Sequence, residues 1–235
     1  MEVVKNTDDL FIVKGEISET LANAIRRSVS EVPTLAIDEV EFYKNDSALY
    51  DEVVAHRLGL IPLVTEKSMS SKTKVELKLS REGPCTVYSG DLKGSAEIVE
   101  TKIPITTIGD GHKLELLATA VLGKGINHAK FVPGLCFFRH LLEVKSSPEA
   151  DKIIQSSKFS LVKAEKSGSK WICDLNDVEV EKILSSDKSS VSDSNQLLLV
   201  VESYGNMPAK EIFLKSMEAL SDNLNEFNKF IAKEA

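Results

Sequence analysis

The chain has 235 residues, 42% of them apolar, enough to build a sizeable core in one large domain or two small ones. Its 29 basic and 36 acidic residues leave a formal charge of −7, a poor balance for a main surface that binds nucleic acid by displacing phosphate counterions. The start, "MEVVKNTDDLF", lacks the basic-then-apolar order of a secretory signal, no apolar run approaches the roughly 20 residues that cross a bilayer, and Cys85, Cys136 and Cys173 lie far apart as unpaired thiols would, so a soluble cytoplasmic chain is expected.

"LFIVKGEI" (10–17) alternates and predicts a strand. Ser18 is suited to cap the helix that follows, and Pro33 lies beyond its end. At 100° per residue Leu21, Ala22, Ala24, Ile25, Ser28, Val29 and Val32 share one face of that helix, with Asn23, Arg26, Arg27 and Ser30 on the other. "TLAIDEVEFY" (34–43) predicts a strand rich in β-branched and aromatic residues. In "SALYDEVVAHRLGLIPL" (47–63) the spacing of Leu49, Val53 and Arg57 predicts a second helix, stopped at Gly59 and kept from resuming by Pro62.

From about 70 to 145 short apolar segments alternate with Gly-, Pro- or charge-bearing turns, a β-rich texture. "KLELLATAVL" is open between helix and strand on composition, and the alternation of Leu114, Leu116, Ala118, Ala120 and Leu122 favours strand. Residues 146–195 are polar and serine-rich and predict a small subdomain or a partly mobile excursion. "QLLLVVESYG" (196–205) reads as a fully buried strand.

Pro208 then suits a first helical position. From there Phe213, Met217, Leu220, Leu224, Phe227 and Ile231 follow at intervals of 4, 3, 4, 3 and 4 residues. That is a coiled-coil-like seam on a helix about 40 Å long, more than a small sheet needs for cover, and part of it is expected to meet another chain.

Chemistry for catalysis is hard to find. "GDGHK" and "GKG" lack the Gly-Lys-Ser/Thr ending of a phosphate loop, no Cys-x-x-Cys occurs, and His56, His112, His128 and His140 have no ligand-like spacing. Asp51 and Glu52, adjacent on a helix, diverge by about 100° and suit its acidic first turn better than a catalytic pair. Arg27 has Glu31 four residues on, in the weaker orientation for a helical ion pair. Arg26 has no acidic helical neighbour, and its place beside the apolar stripe suits an anchor for a carboxylate on another element or chain.

"NAIRR", "AIDEVEF", "DEVVAHRLGLIPL" and "GKGINHAKFVPG", with "VESYGNMPAKEIFLKSMEAL" near the end, closely resemble the D-type subunit of archaeal-type DNA-directed RNA polymerase, over about 1–65, 115–145 and 195–235. This family is the counterpart of the third-largest subunit of eukaryotic polymerase II and of the N-terminal domain of bacterial alpha. The resemblance implies an α+β fold. Residues 1–46 and 196–235 would form a discontinuous dimerisation domain, 47–145 an inserted β-rich domain, and 146–195 a remnant ferredoxin-like or partly mobile segment.

It also implies a non-catalytic assembly platform: a heterodimer with subunit L that recruits subunits N and P and the second-largest subunit, without direct nucleic-acid or membrane contact. Leu21, Ile25, Phe213, Met217, Leu220, Leu224, Phe227 and Ile231 are the expected dimer interface, and Arg26, Arg27, His56, Arg57, Gly59, Leu60 and Pro62 the expected assembly contacts. Many relatives hold iron–sulfur clusters after the insertion, and eukaryotic ones a four-cysteine zinc loop within it. Here Cys173 and Cys85 stand alone in those places, so neither cluster nor metal is expected. The rival readings are a homodimeric alpha-like scaffold and a small enzyme using the inserted domain.

Overall fold

The computed structural model describes residues 1–234. In chain order a hairpin of β1 (Glu2–Asn6) and β2 (Leu10–Gly15) leads into helix α1 (Glu19–Ser28), strand β3 (Thr34–Asn45) and helix α2 (Asp51–Gly59). There follow β4 (Lys74–Glu82), β5 (Cys85–Tyr88), β6 (Lys93–Gly94), β7 (Pro104–Ile108), β8 (Lys113–Gly123) and β9 (Gly134–Lys145). The remainder is α3 (Pro148–Ser156), β10 (Glu165–Ser167), β11 (Lys170–Cys173), α4 (Asp177–Ser186), β12 (Val191–Ser203) and α5 (Ala209–Glu234).

The chain is mixed α and β, largely sheet, and divides into two compact units. One gathers Met1–Asn6, Phe11–Arg26 and Cys136–Val200; the other gathers Thr7–Leu10, Arg27–Leu135 and the residues from Val201 on. These cuts do not follow the sequence texture: β1 to α1 group with residues 136–200, and α5 groups with the β-rich block.

The first unit is built on a six-stranded sheet of order β1-β2-β12-β9-β11-β10. β12 supplies the buried run Leu197–Val201 at its centre, as an uninterrupted apolar strand must when both faces are covered. Ser18 caps α1 as its position predicts, its Oγ accepting the Leu21 N–H at 3.2 Å. Within this unit Val144 packs with Ala150, Ile154, Cys173, Leu175 and Ile183 of residues 146–195 in a small core. Ser147 caps α3, and Asn176 with Glu179 forms a capping box on α4. Asp151 ties the subdomain together, accepting from the Trp171 indole at 2.8 Å, Ser146 Oγ at 2.8 Å and Lys166 Nζ at 3.0 Å.

The second unit holds a four-stranded sheet of order β3-β8-β4-β6 and a two-stranded sheet of β5 and β7. "KLELLATAVL" is β8, paired antiparallel with both β3 and β4, its alternate residues Leu114, Leu116, Ala118 and Ala120 buried. α2 lays Val54 and Leu58 on this core, and Ile61 and Leu63 of the following segment join them. Asp51 and Glu52 occupy the first turn of α2, where carboxylates favour the positive end of the helix dipole. The helix stops at Gly59 as expected: Leu60 follows with φ −89°, its N–H bonds the Arg57 carbonyl at 3.3 Å and the Ile61 N–H bonds the Leu58 carbonyl at 3.1 Å, so a tightened last turn ends the helix.

Candidate protein interface

The most prominent feature of the second unit is the course of α5. In its first two turns Ala209, Ile212, Phe213 and Ser216 are buried in the unit's own body. At 100° per residue Leu220, Leu224, Phe227 and Ile231 continue the face that Phe213 occupies. From Ser221 to Lys233, however, every residue is exposed. The helix therefore projects beyond the body it starts from, carrying its apolar stripe for about 20 Å. Met217 is 38% exposed, Leu224 57%, Phe227 60% and Ile231 49%. Leu214 and Phe230, outside the strict seam, widen the exposed stripe. At the root of the projection Asn223 Nδ2 donates to Glu31 Oε1 at 2.8 Å and fixes the helix to the turn after α1.

Phe213 serves the chain's own core, and Leu220 is half-buried. On α1, in the first unit, Leu21 is exposed whereas Ile25 is 2% exposed; Ile25 therefore presents no side chain to a partner.

The arginines are exposed and differently held. Arg26 Nε and Nη2 both donate to Asn23 Oδ1, at 3.1 and 2.9 Å, which fixes one edge of the guanidinium along the helix and leaves Nη1 to external acceptors. Glu31, the sequence partner of Arg27, instead receives Asn223, and Arg27 has no carboxylate partner among the described residues. The physical reason is local: α1 ends at Ser28, so Glu31 stands in a 3-10 turn and is no longer one helical turn above Arg27.

On α2, His56 and Arg57 are exposed, and Arg57 Nη2 donates to the Pro104 carbonyl at 2.9 Å. Gly59 is buried, Leu60 is 55% exposed, and Pro62 is half-buried beside the buried Ile61 and Leu63. Behind this segment lies a polar network with no signal in the local sequence. Asn206 Nδ2 donates to the Leu63 carbonyl at 2.9 Å, the Thr65 N–H donates to the Asn206 carbonyl at 2.8 Å, and the Leu35 N–H donates to Thr65 Oγ1 at 3.0 Å.

The chain has three cysteines, one fewer than the four thiolates that an iron–sulfur cluster usually takes. Cys173, the one thiol of 146–195, is fully buried, and burial pushes it up to about 12. Burial does the same to Cys136, pushed up to about 12. Neither is poised to act as a thiolate. Among the described residues no group of three or more His, Cys, Asp or Glu side chains is placed to hold a metal ion. No described helix is long and apolar enough to cross a membrane.

Comparison with known proteins identifies the family of the chain. Residues 37–133 match the RNA polymerase Rpb3/RpoA insert domain. The chain is 45% identical to the DNA-directed RNA polymerase subunit Rpo3 of Thermococcus kodakarensis over 150 residues, 59% of this chain and 58% of that protein; here the match spans less than two thirds of the relative's length. It is 31% identical to the Rpo3 subunit of Methanothermobacter thermautotrophicus over 96% of this chain and 95% of that one. It is 35% identical to the Rpo3 subunit of Halobacterium salinarum over 94% and 92%. The chain belongs to the Rpo3 family of DNA-directed RNA polymerase subunits.

Proposed function

From that membership we propose that the chain is a non-catalytic assembly platform of DNA-directed RNA polymerase. Its first step is heterodimerisation with an L-like subunit through the exposed stripe of α5. Subunits N and P and the second-largest subunit then dock on the pair. Arg26, Arg27, His56, Arg57 and Leu60 meet these later partners, while Gly59 and Pro62 shape the turn that carries Leu60. The cysteines hold neither iron–sulfur cluster nor zinc.

One observation supports this reading above the rest: the face of α5 that is core at Phe213 is bare at Leu224, Phe227 and Ile231. Covering each such side chain stabilises by about 1.5–3 kcal/mol, a gain that only a second polypeptide can supply to a helix projecting from its own body. A stretch of about 13 residues is also too short to be stable as an isolated helix in water, so the partner that covers it stabilises its fold as well.

Co-expression with an L-like subunit followed by native mass spectrometry tests the reading. A 1:1 heterodimer is the expected species. A homodimer that ignores the L-like chain would point to the alpha-like scaffold instead, and a monomer under both conditions would overturn the platform.

A further inference from the structure

Two stretches far apart in sequence, "HRLGLIP" (56–62) and "GINHAKF" (125–131), line the same pair of surface cavities in the second unit. One cavity, of about 200 Å³, has a floor that includes Ile37, Val40 and Gly59 and a rim with His56, His128 and Lys130. The other, of about 260 Å³, lies between Pro62, Val132 and Tyr204. Leu60 and Lys130 line both, and Leu60, more than half exposed, stands between them. Both volumes fall below the roughly 300 Å³ at which small-molecule pockets begin, so single side chains fit them better than a cofactor does.

The polar groups on the rim are mostly donors. The backbone N–H of Lys130 donates to His128 Nδ1 at 3.1 Å, which leaves the exposed His128 ring its proton on Nε2. Lys130 Nζ is bonded to Asp38 at 2.6 Å and lies 5.0 Å from the Phe131 ring centroid, with ammonium donors left over. The His56 side chain is exposed and makes no hydrogen bond among the described residues. Asp38, the one carboxylate lining the first cavity, is already engaged by Lys130. An occupant must therefore bring an apolar side chain for the floor and an acceptor for the rim.

We infer that this double cavity docks a protein segment in which a large apolar residue lies within two positions of an Asp or Glu. The apolar side chain lodges beside Leu60, and the carboxylate accepts from His128 Nε2–H and Lys130. The inference deepens the platform reading, on which it rests, by giving the chemistry of one later partner. A phosphate backbone would offer acceptors too, but it has no apolar group for the floor and would face the acidic balance of the whole chain.

The test places the photo-cross-linking residue p-benzoylphenylalanine at Leu60 and, separately, at Ala129, an exposed residue lining the second cavity, in the full chain, reconstitutes the polymerase from purified subunits with template DNA, and identifies the attached peptide by mass spectrometry. The expected adduct is a peptide of one partner subunit with Asp or Glu within two residues of the attachment point. A second arm uses His128→Glu, which should reduce incorporation of that subunit about tenfold and be rescued when the partner's acidic residue is changed to Lys. Adducts on nucleic acid, adducts on peptides without carboxylates, or unchanged incorporation of His128→Glu would each overturn the inference while wild-type assembly stands. Failure of the wild-type chain to enter any assembly would overturn the platform reading and this inference with it.

Discussion

Asn206 and Leu63 are 143 residues apart in sequence, yet the Asn206 amide donates to the Leu63 carbonyl at 2.9 Å inside the second unit. With Thr65 as the intermediary to Leu35, this contact locks the turn before α5 to the segment after α2 and to β3. The base of the projecting helix and the Leu60 surface therefore share one polar support. Substituting Asn206→Leu leaves the Leu63 carbonyl buried without a donor, which costs about 1–3 kcal/mol. A lowered urea midpoint with an unchanged slope is the expected result.

Met217→Asp combined with Leu224→Asp places charges on the stripe without touching the buried first turns of α5. Losing two apolar contacts of about 1.5–3 kcal/mol each should weaken pairing with an L-like subunit a hundredfold or more. Circular dichroism of the variant should show the rest of the chain still folded. Intact co-purification would place the pairing surface elsewhere.

His140 Nε2 meets Glu19 Oε1 at 2.9 Å and its Nδ1 meets the Ser194 carbonyl at 3.0 Å. Only the imidazolium donates at both nitrogens. The Glu19 carboxylate first, then the Ser194 carbonyl, raises this group above its usual 6.5, with Asp193 adding a smaller pull in the same direction. The contribution to stability is full below the unfolded value and is lost as pH rises through the higher folded one. The melting-temperature gap between wild type and His140→Gln should thus be widest below the usual histidine value of about 6.5 and narrow as the pH rises above it.

Asp151 is held down to about 2 by Lys166, Ser146 and Trp171, in that order of effect. A depressed carboxylate stabilises above its unfolded value and loses that contribution as pH falls through the folded one. Trp171 is the chain's single tryptophan, so its fluorescence reports on this subdomain alone. Between about pH 4 and pH 2 the wild-type signal should move toward the unfolded value. Asp151→Asn should begin less stable at neutral pH and depend less on acid over that interval.

Cys136 and Cys173 are buried, and Cys85 is half-buried. A thiol reagent added to the native chain should therefore modify one cysteine promptly and the other two only after denaturation. Iron and zinc in the pure subunit should be negligible by elemental analysis; stoichiometric metal would overturn the cluster-free reading.

Where a single local rule governs, the sequence is easy to read. Alternation identifies β8 despite its helix-compatible composition, Ser18 marks the start of α1, and the seam spacing locates α5. The misses have a common cause in contacts across the chain or beyond one turn. The Ser-rich tract gives little sign of structure, yet β12 begins at Val191, prepared by a turn in which Ser189 and Ser190 bond to Asp187 and Lys145 bonds the Ser190 carbonyl. Hairpin strand β1 escapes pattern reading because its residues are largely exposed and show no buried face. Asn206 and Thr65 look like ordinary loop residues until their distant partners are known. Ile25 lies on the same helix as Leu21, and neither composition nor period tells which side of that broad face the core claims.

The bare half of α5 also has a bearing on supply. A copy made in excess of its mate would keep four large greasy side chains on a short, poorly self-sustaining rod, which is the kind of feature that chaperones hold and proteases cut. Surplus subunits would thus be removed first at the element that marks them as surplus, and the cell would hold the two members of the pair in step without a dedicated regulator.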